Sequence, residues 1–194
     1  MRVLYGAHLF AFRRGEPSAV YARECLQLAR GLGDVRGECD GLTGLAREAL
    51  RAGDYPSVAE YAAEGLRVAR ASGDRSSEGS PLHRCAAGTR PSGDYDRARE
   101  LYLESVALGD DLGDERRKQQ EFHNLGWVEL HRGDVDAAER MFAERDARPG
   151  LDAMGDAWTE LNRAALALVR GQREEAARLV RGWQASARRV RRRA

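Results

Sequence analysis

After Gly53-Asp54, apolar residues fall at Tyr55, Val58, Ala59, Ala62, Leu66 and Ala69. Their spacing of i, i+3, i+4, i+7, i+11 and i+14 draws a single stripe along a helix and predicts an amphipathic α-helix. Tyr95, Ala98, Tyr102 and Val106 mark the corresponding stripe one period later, and Val135, Ala138, Met141 and Phe142 mark the next. A second kind of segment alternates with the first. Between Gln119 and Gly133, Phe122, Leu125, Trp127, Val128 and Leu130 spread around much of a helical circumference. A helix flanked on several sides by neighbours carries such a pattern. No segment sustains an alternation of period two, so no sheet is expected.

The punctuation between these segments is periodic. Gly15-Glu16, Gly53-Asp54, Gly93-Asp94 and Gly133-Asp134 are spaced by 38, 40 and 40 residues, with a degenerate copy at Gly171-Gln172. An interleaved series, Gly33-Asp34, Gly73-Asp74, Gly113-Asp114 and Gly155-Asp156, is spaced by 40, 40 and 42. Glycine can take the left-handed conformation that ends a helix. The acid after it can cap the next helix. Two joints look irregular. Ser80 as a cap, Pro81 in a first turn and Pro91 as a stop predict a short helix near 81–90. Arg148-Pro149-Gly150-Leu151-Asp152 predicts a longer loop. The resulting expectation is one repeat domain over 1–187. Its helix pairs lie at about 1–33, 34–73, 74–113, 114–150 and 155–187, and a basic tail follows over 188–194.

At Asn124-Leu125-Gly126, Gly133-Asp134, Ala138 and Phe142, and again at Gly93-Asp94, Ala98 and Tyr102, the spacing resembles the signature of the tetratricopeptide-repeat (TPR) family. The longer period and the Leu112-Gly113-Asp114 linkage resemble the repeats of large bacterial transcriptional regulators. The resemblance implies an all-α fold: a right-handed superhelical solenoid of antiparallel helix pairs, about ten helices in all. It also implies a protein- or peptide-binding scaffold that uses a concave groove, or alternatively a ligand- or peptide-sensing regulatory module. By the family's spacing, the groove residues are Tyr5, Phe12, Arg13, Arg47, Arg51, His83, Arg90, His123, Trp127 and His131. Asp40 and Thr43 also face it in that register. The arginines suit an acidic segment or a terminal carboxylate, and Trp127 suits an apolar anchor.

Composition narrows these readings. The 194 residues carry 32 basic and 31 acidic side chains, for a net charge of +1, so there is no overall pull toward nucleic acid or membrane. Lys118 is the one lysine, so the arginine content reads as a compositional bias of the whole chain. The three cysteines, Cys25, Cys39 and Cys85, form no CxxC pair and fit a reducing, cytoplasmic setting. No apolar run approaches the ~20 residues that span a bilayer, and the N-terminal stretch does not read as a signal peptide. His123 and His131 lie ~12 Å apart along a helix axis, too far to chelate one metal. No HExxH, dinucleotide-binding or phosphate-loop motif occurs. The expectation is therefore no enzyme, no catalytic residue, no metal and no cofactor. The partner is expected to be a protein or peptide, acidic by the groove's charge. A homodimer is also expected to be able to form through a solenoid end, where Leu4, Leu9 and Phe12 begin the first pair, or through the groove. The Arg188–Arg193 run is read as a solubilising end rather than a nucleic-acid contact.

Overall fold

A computed structural model describes residues 1–150 and 153–193, with side-chain surroundings defined except at 153, 154 and 185–193. Among the described residues there are ten α-helices and no strand: α1 (Arg2–Arg13), α2 (Ala19–Leu32), α3 (Val35–Ala52), α4 (Tyr55–Ser72), α5 (Arg75–Thr89), α6 (Tyr95–Leu112), α7 (Glu115–Arg132), α8 (Val135–Asp146), α9 (Ala153–Val169) and α10 (Arg173–Arg193). A 3-10 turn at Arg90–Ser92 follows α5. None of these helices is long and apolar enough to cross a membrane.

The glycine-acid punctuation works at atomic level. Gly33, Gly53, Gly73, Gly93, Gly113 and Gly133 all have positive φ, a region that a Cβ would make costly. Each aspartate that follows caps the next helix. Asp34 accepts from the Gly37 N–H at 3.0 Å, Asp54 from Ser57 at 3.2 Å and Asp74 from Ser76 at 3.0 Å. Asp94 accepts from Arg97 at 3.1 Å, Asp114 from Arg117 at 3.0 Å and Asp134 from Ala137 at 2.8 Å. These bonds satisfy backbone donors that no helix can satisfy internally.

Two expected breaks do not occur. Helix α5 starts at Arg75, capped by Asp74, and runs through Pro81 to Thr89 rather than beginning near Pro81. Pro81 cannot donate to the Ser77 carbonyl, which ordinarily costs a helix interior several kcal/mol. Its ring is buried against Gly65, where an added Cβ would come within 3.2 Å of the proline Cγ. Burial of that ring, together with the Asp74 cap, holds the helix through the defect. Gly155-Asp156 likewise sits inside α9 and ends nothing. The glycine with positive φ at this joint is Gly150.

The chain divides into two compact units, Met1–Leu108 and Gly109–Ala194. In the first, α3 packs against α1, α2, α4 and α5. Ala22, Leu26, Leu42 and Leu45 form one core cluster, and Ala46, Ala49, Val58 and Ala62 form the next, with Tyr61 leaning on both. In the second, α7 packs on α8 and α9 on α10. Ala138, Phe142 and Leu166 form a core that Trp127, Leu130 and Val135 flank. The fully buried Arg145 of α8 binds the start of α9, donating to the Gly155 carbonyl at 2.6 Å and to the Thr159 hydroxyl at 2.8 Å.

An ion-pair pattern follows the repeat. Arg30 of α2 pairs with Glu38 at 3.0 Å and with Glu64 at 2.6 Å. Forty residues on, Arg70 of α4 pairs with Glu78 at 3.5 Å and also with Glu104. One period later the charges are exchanged, and Asp110 pairs with Lys118 at 2.6 Å.

Candidate functional site

In the first unit, the first helices of successive pairs lie side by side, with α3 between α1 and α5. Helix α1 presents Tyr5, His8 and Phe12 at i, i+3 and i+7, one face of the helix. Their rings form a row, Tyr5 stacked on His8 at 6.0 Å and His8 tilted against Phe12 at 5.9 Å. Helix α3 brings two guanidinium groups over the end of this row. Arg51 lies 4.7 Å and Arg47 5.5 Å from the Phe12 ring centre, both within cation–π range.

The support beneath is polar and mostly satisfied. His8 is fully buried, and its Nδ1 lies 3.2 Å from the Ser18 carbonyl oxygen. Burial holds its pKa below the ordinary histidine value, so the ring is neutral at pH 7 and Nδ1–H donates. Glu48 accepts from the Ser18 hydroxyl and pairs with Arg51, which fixes that guanidinium. Arg47 is different. Its Nε is buried and has no hydrogen-bond partner among the described residues. Nearby, burial pushes the Asp40 carboxyl up to about 6, against the pull of Arg36. Burial also raises the Tyr5 phenol, which Arg47 and Arg84 partly offset.

Tyr5, Phe12, Arg47 and Arg51 are therefore gathered on one patch. Arg13 is exposed at the end of α1, and Arg90 lies in the 3-10 turn after α5. His83 is buried, and its ring lies against Tyr102 at 6.1 Å. Thr43, one period earlier, is also buried. The next residue, Arg84, is the one from α5 whose charge reaches Tyr5.

His123, Trp127 and His131 belong to the second unit. His123 lies flat on Trp158, with ring centres 4.7 Å apart, and also neighbours the rings of Trp127 and Phe142. The Trp127 indole donates to the Asn162 side-chain oxygen at 3.1 Å. Trp127 and His131 also wall a cleft of about 740 Å³ between α7, α9 and α10. That cleft is lined chiefly by aliphatic side chains, a feature the stripe analysis did not single out.

Among the described residues, no cluster of three or more His, Cys, Asp or Glu side chains is placed to hold a metal ion. The thiols are free, and burial pushes Cys39 and Cys85 up to about 11, which keeps them protonated and poorly nucleophilic.

Solved structures share this arrangement of helices. BtubC (BKLC) from P. vanneervenii superposes over 90% of this chain and 73% of its own, with a TM-score of 0.70 at 20% identity. The chain has a tetratricopeptide-like fold. The kinesin light chain TPR-like repeats from Podosopora anserina match over 98% of this chain and 96% of theirs, with a TM-score of 0.67 at 16% identity. A single-substitution form of those repeats matches equally well. No family model and no curated protein matches the sequence. At these identities, the likeness of the tetratricopeptide-like neighbours extends to fold alone.

Proposed function

We propose that this chain is a non-catalytic scaffold that binds a protein partner through the face shared by α1, α3 and α5, and that the element it takes there is an acidic segment. The observation that carries this reading is Arg47. It is in no ion pair among the described residues, whereas Arg51 beside it is neutralised by Glu48. An incoming carboxylate would supply the missing counter-charge through the terminal guanidinium nitrogens. Phe12 backs both guanidinium groups and holds them in place for a planar acceptor.

The test is binding of fluorescent extended peptides, acidic and basic, to the full chain. The acidic peptide is expected to bind with an affinity that falls as salt rises. Arg47→Glu should weaken it about tenfold or more, which corresponds to about 1.4 kcal/mol or more. Equal affinity of Arg47→Glu and the unaltered chain for the acidic peptide would sink the proposal.

A further inference from the structure

The cleft of the second unit is lined by none of the residues invoked above for the acidic segment. Its walls are helical stripes. Leu161, Ala165 and Leu168 on α9 stand at i, i+4 and i+7, and Ala177 and Val180 of α10 face the same space, closed at one side by Trp127. Leu168 and Val169, both in the cleft wall, are 63% and 54% exposed, so the apolar lining lies open to solvent along α9. A small ligand seated deep in the cleft would leave these two side chains wet, but a helix laid along the groove would cover them. Arg173 and Arg181 stand on the α10 side, ~12 Å apart along its axis at 1.5 Å per residue. No carboxylate lines the cleft, and neither arginine is in an ion pair among the described residues. By contrast Arg170 and Arg178, close by in sequence, are paired with Glu139 and Glu175.

We infer that this cleft is a second docking surface, which takes an amphipathic helical segment of a protein partner. The segment carries an apolar stripe of two to three turns that meets Leu161, Ala165, Leu168 and Val180, with acidic residues on its flanks that meet Arg173 and Arg181. Seating a helix in an apolar groove through anchors at i, i+4 and i+7 uses the same geometry that packs helices within the protein. The cation pair sets the sign of the flanking charge and the orientation of the segment. The exposed apolar side chains Val3 and Phe10 of α1 in a second copy would not suit the cleft, because they lie in sequence among Arg2, Arg13 and Arg14, which would face the same two arginines.

The experiment uses the full chain and three probes. The first is a labelled designed helix of about 18 residues, long enough to hold helical structure alone, with leucines at i, i+4, i+7 and i+11 and glutamate flanks. The second has the same stripe with lysine flanks. The third is dodecanoate, an aliphatic acid that offers the same chemistry as a small molecule. The glutamate-flanked helix is expected to bind, and the lysine-flanked helix to bind at least about tenfold more weakly. Leu168→Glu, a change at an exposed position, should abolish binding with the thermal melt unchanged. Arg173→Glu with Arg181→Glu should reverse the preference between the two helices, and Arg47→Glu should leave it intact, which separates this inference from the proposal for the first unit. The inference is overturned if both helices bind alike, if neither binds, if dodecanoate saturates the cleft while the helix does not compete, or if light scattering shows self-association that Leu168→Glu dissolves.

Discussion

Single residues show where this protein trades stability for a particular face. Asp40 titrates near 6 in the folded chain, because burial disfavours its charge, and nearer 3.8 in ordinary surroundings. The folded form therefore holds the Asp40 proton more tightly than the unfolded chain does. Stability is unaffected by Asp40 while the carboxyl is protonated in both states, and is lost as pH rises from about 4 through 6. Asp40→Asn should accordingly stabilise the chain at pH 7, by about 1–2 kcal/mol, and change little at pH 4. Chemical denaturation at the two pH values checks this. Glycine offers a second contrast. A Cβ on Gly126 would fall 2.1 Å from the Phe142 ring, which belongs to the packed core of the second unit, whereas one on Gly6 meets nothing within 4 Å. Gly126→Ala should lower stability by about 1–3 kcal/mol through overpacking. Gly6→Ala should raise it by about 0.5–1 kcal/mol through helix propensity. Thermal melts of the two variants should move in opposite directions. The family spacing named Gly126, but the ring it accommodates became visible only in the packed helices.

Elements in this chain are set by local chemistry at their ends. The Asp134 carboxylate accepts from the Ala137 N–H at 2.8 Å, and Gly133 before it takes φ of 82°. Asp134→Ala should cost about 1 kcal/mol, seen as faster amide exchange in the first turn of α8 and little change in α7. The caps Asp54 and Asp74 have pKa values held below the ordinary 3.8 by hydrogen bonds from Ser57, and from Ser76 and Ser77. Their contribution is complete above about pH 4 and is lost as pH falls through the depressed values. These ends were legible without a fold, since a glycine followed by an aspartate carries its own conformational reason. The interior of α5 was not legible. Pro81 and its serine-rich approach read locally as a start, and the fit of its ring against Gly65 of α4, together with the Asp74 cap, keeps the helix continuous. Gly155 was misread for a related reason. Its carbonyl is held by the buried Arg145, a partner ten residues away in sequence and on another helix.

Across the whole molecule, the period of about 40 residues repeats interactions as well as helices. Arg30 with Glu38 and Glu64, then Arg70 with Glu78 and Glu104, repeat the same ion pairs from one helix pair to the next. At the following copy, Asp110 and Lys118 exchange the charges, and Glu144 stands where the pattern would place the outer acid. Asp110→Arg alone should destabilise the chain, because it faces Lys118 with a like charge. Asp110→Arg with Lys118→Glu should recover part of that loss and not all of it, because Lys118 also pairs with Glu115 at 2.8 Å and the exchange sets a second carboxylate beside Glu115. The coupling between the two positions, measured by a double-mutant cycle, is expected to be at most about 1 kcal/mol, because Asp110 is open to solvent.

The sequence by itself determined the count of about ten helices, their ends at every Gly-Asp pair from Gly33-Asp34 to Gly133-Asp134, and the tetratricopeptide-like order of pairs. Those features rest on φ, on capping and on a stripe of period 3.6, all of them local. Tertiary structure decided which side chains on those helices remain open. It buried His83 against Tyr102, laid His123 on Trp158, and gathered Arg47 and Arg51 over Phe12. It also opened the aliphatic cleft beside Trp127. A helical stripe states that a residue faces a neighbour. Whether that neighbour fills the space depends on side chains forty residues away, and no local pattern encodes their volume.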